Sequence, residues 1–192
     1  ANYVKHSYKE NNTVLKYTDP DPKGSGKAIC IYSGRALESG AWNKEHVWAK
    51  SHGFPNESYE PYCDAHHLRP STTKINSTRS NKDFGEVPNA TPDAYGNKTN
   101  NDLFEPRDEV KGDIARMLLY MVVRYEDSTL DLELTNDTTL ASKAENGTEG
   151  YIGILNTILK WNFEDPVDSR ELYRNEEIYK EQGNRNPFID HP

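Results

Sequence analysis

An α+β fold is what this sequence predicts, and three observations carry the prediction. Residues up to about 82 hold short apolar or aromatic segments cut by Gly and Pro. From Pro106 to about Gln182, apolar residues recur at three- and four-residue steps, the period of an amphipathic helix. No Pro-, Gly- or Ser-rich linker separates the halves, so all 192 residues read as one domain, within the roughly 100–200 residues a domain usually holds.

The elements follow in order. Residues 1–27 are polar, with Asp19-Pro20-Asp21-Pro22 and Gly24-Ser25-Gly26 marking turns. Residues 28–33, Ala-Ile-Cys-Ile-Tyr-Ser, read as a short buried strand, and residues 42–49 as a second. After Pro70, Ser71 or Thr72 can cap a helix running to about Ser80. Residues 83–105, with Gly85, Pro88, Pro92 and Gly96, look irregular. Three helices follow: one from Pro106 through Met121, one over 149–162, and one capped by Asp165 and stopped by Gly183. The mixed core thus lies at about 28–82 and the helical part at about 106–183.

Composition narrows the function classes. Only 34% of residues are apolar, but twelve Tyr, five Phe and three Trp supply bulky rings for a core. No stretch is long and apolar enough for a membrane span. The net charge of −8 argues against a grip on nucleic acid over the whole surface. Charge is uneven, however. Residues 65–82 hold Arg69, Lys74, Arg79 and Lys82 with no acid, whereas residues 126–137 hold five acids and no base. That pattern fits a solvated body with one local polyanion site. Cys30 and Cys63 allow at most one disulfide.

Chemistry concentrates in one stretch. Four of the six His, His46, His52, His66 and His67, fall within residues 46–67, near Glu45, Asp64, Arg69, Asn76 and Arg79. A hydrolase needs a base that is neutral near pH 7, which imidazole provides. Phosphodiester cleavage also needs positive charge at the phosphoryl oxygens, which a hard divalent cation on oxygen ligands and a basic side chain supply. Glu45 and His46 place an oxygen ligand beside a base on one strand, and Asn76 offers a neutral oxygen from the following helix. Strand, loop and helix in that order match a minimal ββα-metal nuclease site. Adjacent strand residues normally face opposite ways, so Glu45 and His46 share a site only if the strand twists sharply or ends there.

Five motifs, in order over about residues 28–191, resemble the bacterial endonuclease I family. They are Trp42-Asn43-Lys44-Glu45-His46-Val47-Trp48, Asp64-Ala65-His66-His67-Leu68-Arg69-Pro70, Lys74-Ile75-Asn76-Ser77-Thr78-Arg79-Ser80-Asn81, Gly112-Asp113-Ile114-Ala115-Arg116, and Gln182-Gly183-Asn184-Arg185-Asn186-Pro187-Phe188. The resemblance implies a secreted or periplasmic, sequence-independent nuclease of the His-Me finger type, acting on DNA and, through the same phosphate contacts, on RNA. It implies Mg2+, with Mn2+ or Ca2+ as substitutes, held by Glu45 and Asn76, with His46 as general base and products carrying 5′-phosphate ends. The family's cysteine-rich insertion, which carries a catalytic Arg, is missing here, so Arg69 and Arg79 are the nearest candidates for that charge. Lys74 and Lys82 are expected on nucleic acid. Asp64, His66 and His67 are expected to hydrogen-bond behind the site. His52 is expected on a groove rim, Trp42 and Trp48 in the core, Arg116 in a buried pair, and Asn184–Phe188 as a structural lock. A monomer without membrane contact is expected.

Two rival readings use the same residues. His46, His66, His67 and Asp64 offer a nitrogen-rich set that zinc would accept. A catalytically silent nucleic-acid-binding module on the same fold is the other.

Overall fold

The computed structural model describes residues 3–126, 129–141 and 149–192. Asp127 of the acidic run lies outside them. The fold is α+β, with four small sheets and seven helices among the described residues.

Helix α1 (Asn11–Thr18) lies in the segment expected to be turns. Its inward face is Asn11, Val14, Leu15 and Thr18, spaced by three and four, and only two of the four are apolar. Polar partners complete the face: Asn11 Nδ2 donates to the Cys63 carbonyl at 2.9 Å. The expected strand over 28–33 shrinks to β1 (Ala28–Ile29), antiparallel to β2 (Ala36–Leu37). The chain turns at once, with Gly34 at φ 65°, a conformation that glycine accepts without steric cost.

The expected strand over 42–49 is β3 (Asn43–His46). It pairs antiparallel with β4 (Leu68–Ser71), setting Glu45 opposite Arg69 and His46 opposite Leu68. Helix α2 (Thr73–Arg79) follows directly, its first turn capped by Thr72 Oγ1. Residues expected to be irregular form β5 (Asp83–Phe84), β6 (Lys98–Thr99) and β7 (Leu103–Glu105), with β7 central.

Helix α3 (Lys111–Arg124) is the long amphipathic helix. Strand β8 (Asp131–Leu134) and the short α4 (Thr138–Ala141) precede β9 (Glu149–Ile152), which runs parallel to β8. The helix expected over 149–162 is therefore a strand and then α5 (Leu155–Glu164). Glu149-Gly150-Tyr151-Ile152 alternates in burial with a period of two, and Ile152 satisfies a helical register only by coincidence. Helix α6 (Ser169–Gln182) is capped by Asp168, not Asp165, in a reciprocal box with Glu171, and ends at Gly183 with φ 85°. Asp165 instead accepts from Gly112 N at 2.8 Å. A final turn, α7 (Pro187–Asp190), is capped by Asn186.

One apolar cluster joins both halves: Trp48, Phe54 and Phe104 meet Ile114, Leu118 and Trp161. Trp42 packs in a second cluster with Leu15 and Leu68. Arg116 is fully buried against Glu171 at 2.5 and 2.7 Å, as expected of it. Cys30 and Cys63 are buried free thiols.

The Gly112 position has a steric cause. A Cβ there would overlap the Asp165 carbonyl oxygen and the Arg116 guanidinium. Gly112→Ala is expected to lower the unfolding free energy by about 1–3 kcal/mol, the usual cost of overpacking, read as a shifted urea midpoint.

Candidate active site

The pair β3–β4 and helix α2 form one ββα unit, and the candidate site sits where β3 ends. Glu45, His46 and Asn76 line one cavity of about 470 Å3. The strand terminates at His46, which lets two neighbouring side chains reach a common space.

Glu45 is buried, and both of its protein hydrogen bonds fall on Oε1: Tyr32 OH at 2.7 Å and Arg79 Nη1 at 3.0 Å. Burial pushes this carboxyl up, and the Arg79 charge and the Tyr32 hydroxyl pull it back. Oε2 has no protein donor among the described residues. Asn76 points its Nδ2 at the Lys44 carbonyl at 3.4 Å, leaving Oδ1 as the free end of the amide.

His46 Nε2 meets the Tyr62 carbonyl at 3.0 Å. A carbonyl only accepts, so Nε2 carries the proton and Nδ1 presents a lone pair. Tyr8 stacks on the imidazole with ring centres 5.5 Å apart, and Tyr62 meets it edge-on at 4.6 Å. Burial, with His67 beside it, drives the imidazole well below its ordinary value, while the Tyr62 carbonyl opposes the shift. The same burial disfavours the charged form of His46.

The two arginines expected to stabilise charge on substrate do other work. Arg79 is 1% exposed and donates to Glu45 Oε1, the His46 carbonyl at 2.7 Å and the Val47 carbonyl at 2.8 Å. Arg69 is buried, with Asp19 at 2.7 Å and Asp113 at 3.1 Å, and it does not line the Glu45–His46 cavity. Each guanidinium is buried and held by protein oxygens, although the Nε–H of each has no hydrogen-bond partner among the described residues. Lys74 lies on the exposed face of α2. Lys82 donates to Thr99 Oγ1 at 2.8 Å and lines a separate small cavity.

Asp64, His66 and His67 are buried behind the site. Asp64 accepts from Tyr120 OH, Tyr125 OH, Gln182 Nε2 and His66 N at 2.7–2.9 Å. His66 Nε2 meets the Asn184 carbonyl at 3.2 Å, and His67 Nε2 meets that of Pro61 at 2.7 Å. His52 is not on a rim. It is buried, with its ring nitrogens against the Tyr151 and Asn81 carbonyls. His46, His66 and His67 therefore turn Nε2 to three different carbonyls, and no group of three metal-capable His, Cys, Asp or Glu side chains assembles among the described residues. The nitrogen-rich zinc set does not form. The oxygen pair Glu45 and Asn76 does face a common cavity, and few, hard oxygen ligands suit magnesium, which keeps several waters.

Three side chains that line the cavity, and Tyr62 beside His46, escaped the sequence reading. Lys44 and Lys50 line it, and both stand in or just after the Trp42–Trp48 motif, where their charge was the available signal. Tyr8, which lines the cavity, comes from the polar N-terminal arm, and Tyr62, which contacts His46, from the 3-10 turn Glu60–Cys63, and neither carried a pattern.

The Endonuclease I family model matches residues 2–192. The chain belongs to the Endonuclease I family. It is 50% identical over 202 residues to an extracellular ribonuclease of Bacillus amyloliquefaciens, covering 100% of this chain and 68% of that protein. It is 49% identical over 196 residues to the extracellular ribonuclease of Bacillus subtilis (strain 168), covering 97% of this chain and 66% of that one. An extracellular deoxyribonuclease of Aeromonas hydrophila is 30% identical over 147 residues, 73% of this chain and 55% of its own length. The chain therefore spans about two thirds of the Bacillus proteins and about half of the Aeromonas one. No helix among the described residues is long and apolar enough to cross a membrane.

The buried histidines behind the site make stability pH-dependent. Burial pushes His66 and His67 each down to about 4, against the attraction of Asp64. Their Nδ1 atoms have no hydrogen-bond partner, which fits neutral rings. In the unfolded chain each titrates near 6.5. Between those values only the unfolded state takes up the protons, so stability is complete above about pH 6.5 and falls as pH drops towards 4. The expected slope approaches ~1.4 kcal/mol per pH unit for each ring. Urea midpoints between pH 7 and 4.5 measure it, and His67→Gln should flatten it.

Proposed function

We propose that this chain is a metal-dependent, sequence-independent endonuclease that hydrolyses phosphodiester bonds of DNA and RNA outside the cytoplasm. The observation that supports it best is the shared cavity of Glu45, His46 and Asn76, with His46 held as a neutral base. The names of the relatives, extracellular ribonuclease and extracellular deoxyribonuclease, support both the substrate class and the location.

In this reading Glu45 Oε2 and Asn76 Oδ1 hold Mg2+, with Mn2+ or Ca2+ as substitutes. When bound, the ion supplies positive charge against the phosphoryl and leaving oxygens. His46 Nδ1 takes a proton from the attacking water. The Tyr62 carbonyl keeps Nε2–H in place, fixing the tautomer and stabilising the imidazolium that results. Tyr8 covers one face of the ring and limits its contact with bulk water. Water attack at phosphorus opposite the 3′ oxygen leaves a 5′-phosphate end and a 3′-hydroxyl.

The test is cleavage of supercoiled plasmid and of an RNA oligonucleotide with Mg2+. Wild-type protein should cut both. His46→Ala should lower the rate by about 10²–10⁴, the range for loss of a general base, assayed at a temperature where circular dichroism shows the variant folded. Asn76→Ala should raise the Mg2+ concentration needed for half-maximal rate. Plasmid left intact but bound in a salt-sensitive complex would instead make the chain a binding module.

A further inference from the structure

A phosphate in the Glu45–His46–Asn76 cavity needs a positive partner from the protein, and the two arginines near it are committed to protein oxygens. Two cations line that cavity in a different chemical state. Lys50 is exposed, with Nζ donating to Tyr62 OH at 3.2 Å. Lys44 is half-buried, with Nζ on Asn12 Oδ1 at 2.6 Å and 4.0 Å from the centre of the Tyr8 ring. Neither is in an ion pair with a carboxylate among the described residues, whereas Lys98, Lys111 and Lys160 all are. Each ammonium lies against a neutral tyrosine that itself touches His46: Lys50 against Tyr62, which gives His46 its carbonyl, and Lys44 over Tyr8, which stacks on its ring. An ammonium leashed by neutral partners keeps its full charge for an incoming anion, and the leash limits where that charge can go.

The two lysines are not equivalent. Lys50 lines only the cavity that contains Glu45 and His46. Lys44 also lines an adjoining cavity of about 820 Å3 between Trp42, Asn43 and Ser77. Tyr8, Lys44, Asn76 and Ser80 are common to both, so the two spaces form one trough with Lys44 at the junction.

We propose that Lys50 neutralises the scissile phosphate and that Lys44 grips the adjacent phosphate where the strand continues along the trough. The assignment rests on the nuclease reading above. It makes Lys50 a residue of the chemical step and Lys44 a residue of strand binding.

Isosteric substitutions test it, because Met keeps the apolar stem and removes only the charge. With a short RNA and a short DNA duplex in Mg2+, Lys50→Met should lower kcat by about tenfold to a hundredfold with little change in KM, since charge stabilisation acts on the transition state. Lys50→Arg should recover most of the loss. Lys44→Met should raise KM several-fold, flatten the salt dependence of KM and leave kcat near the wild-type value. Lys50 is solvent-facing, so both of its variants should melt with the wild type; Lys50→Gln gives a second neutral variant. A kcat within threefold of wild type in Lys50→Met and Lys50→Gln, or a loss in Lys50→Met that Arg does not recover, overturns the proposal. Failure of the wild type to cleave either substrate would overturn the nuclease reading itself.

Discussion

The buried guanidinium of Arg79 is the contact on which the site's geometry depends. From the last turn of α2 it binds Glu45 and the carbonyls of His46 and Val47, and it lies over the Phe84 ring at 4.5 Å. Asn76 stands three residues earlier on the same helix, so the bond that fixes the end of α2 also sets the Asn76 amide against β3. Burying such a charge is costly unless it is paired and hydrogen-bonded, and breaking a pair of this kind typically costs about 3–5 kcal/mol. Two carbonyls and a carboxylate therefore hold the helix in one position. Glu45 is drawn into that network by one oxygen, and among the described residues the other has no protein donor.

Behind this lies a support that draws on both ends of the chain. Asp64 collects four donors, two of them the hydroxyls of Tyr120 and Tyr125 on and just after α3. Gln182, at the end of α6, donates to Asp64 and accepts from Ala65 N, and Asn184 donates to Tyr120 OH. Arg174 reaches from α6 to the carbonyls of Ala65, His66 and Leu68, and to Asp19. The N-terminal arm closes the arrangement: Val4 N binds the Gln182 carbonyl, His6 meets that of Glu181, and Tyr8 then falls on His46. A C-terminal motif that lines neither cavity beside His46 or Asn76 is thus bound to the loop that leads into β4.

How far these features could be read in advance depended on what determines each one. The class of fold, α2 with its Thr72 cap, the Gly183 stop and the inward Trp48 all follow from local rules of period and capping. That Glu45, His46 and Asn76 come together in one cavity was legible because residue type and spacing carried it. Helix α1 was not, since half of its buried face is polar and is satisfied by distant partners such as the Cys63 carbonyl. Strand β9 was misread because four residues ending in Ile152 fit two periods at once, and only pairing with β8 decides between them. His52 was misplaced for the same kind of reason: its partners, at residues 81 and 151, lie far away in sequence.

The buried arginines show a more general physical distinction. Arg69, Arg79, Arg116 and Arg174 are all nearly or fully buried, each facing several carbonyl or carboxylate oxygens. A planar guanidinium with five donors can satisfy such a cage completely, and it cannot shed its charge when desolvated. An ammonium has three donors around a point and a strong preference for water. It is poorly suited to bridging strands and helices in a dry interior, and well suited to a solvent-facing site where an anion arrives and leaves. In this chain the guanidinium groups near the site hold the scaffold, while the unpaired charges on the cavity wall are Lys44 and Lys50. The basic strip at 65–82 therefore reads differently by residue type: its arginines point inward to structure, and free positive charge at the cavity comes from lysines flanking the Glu45–His46 step.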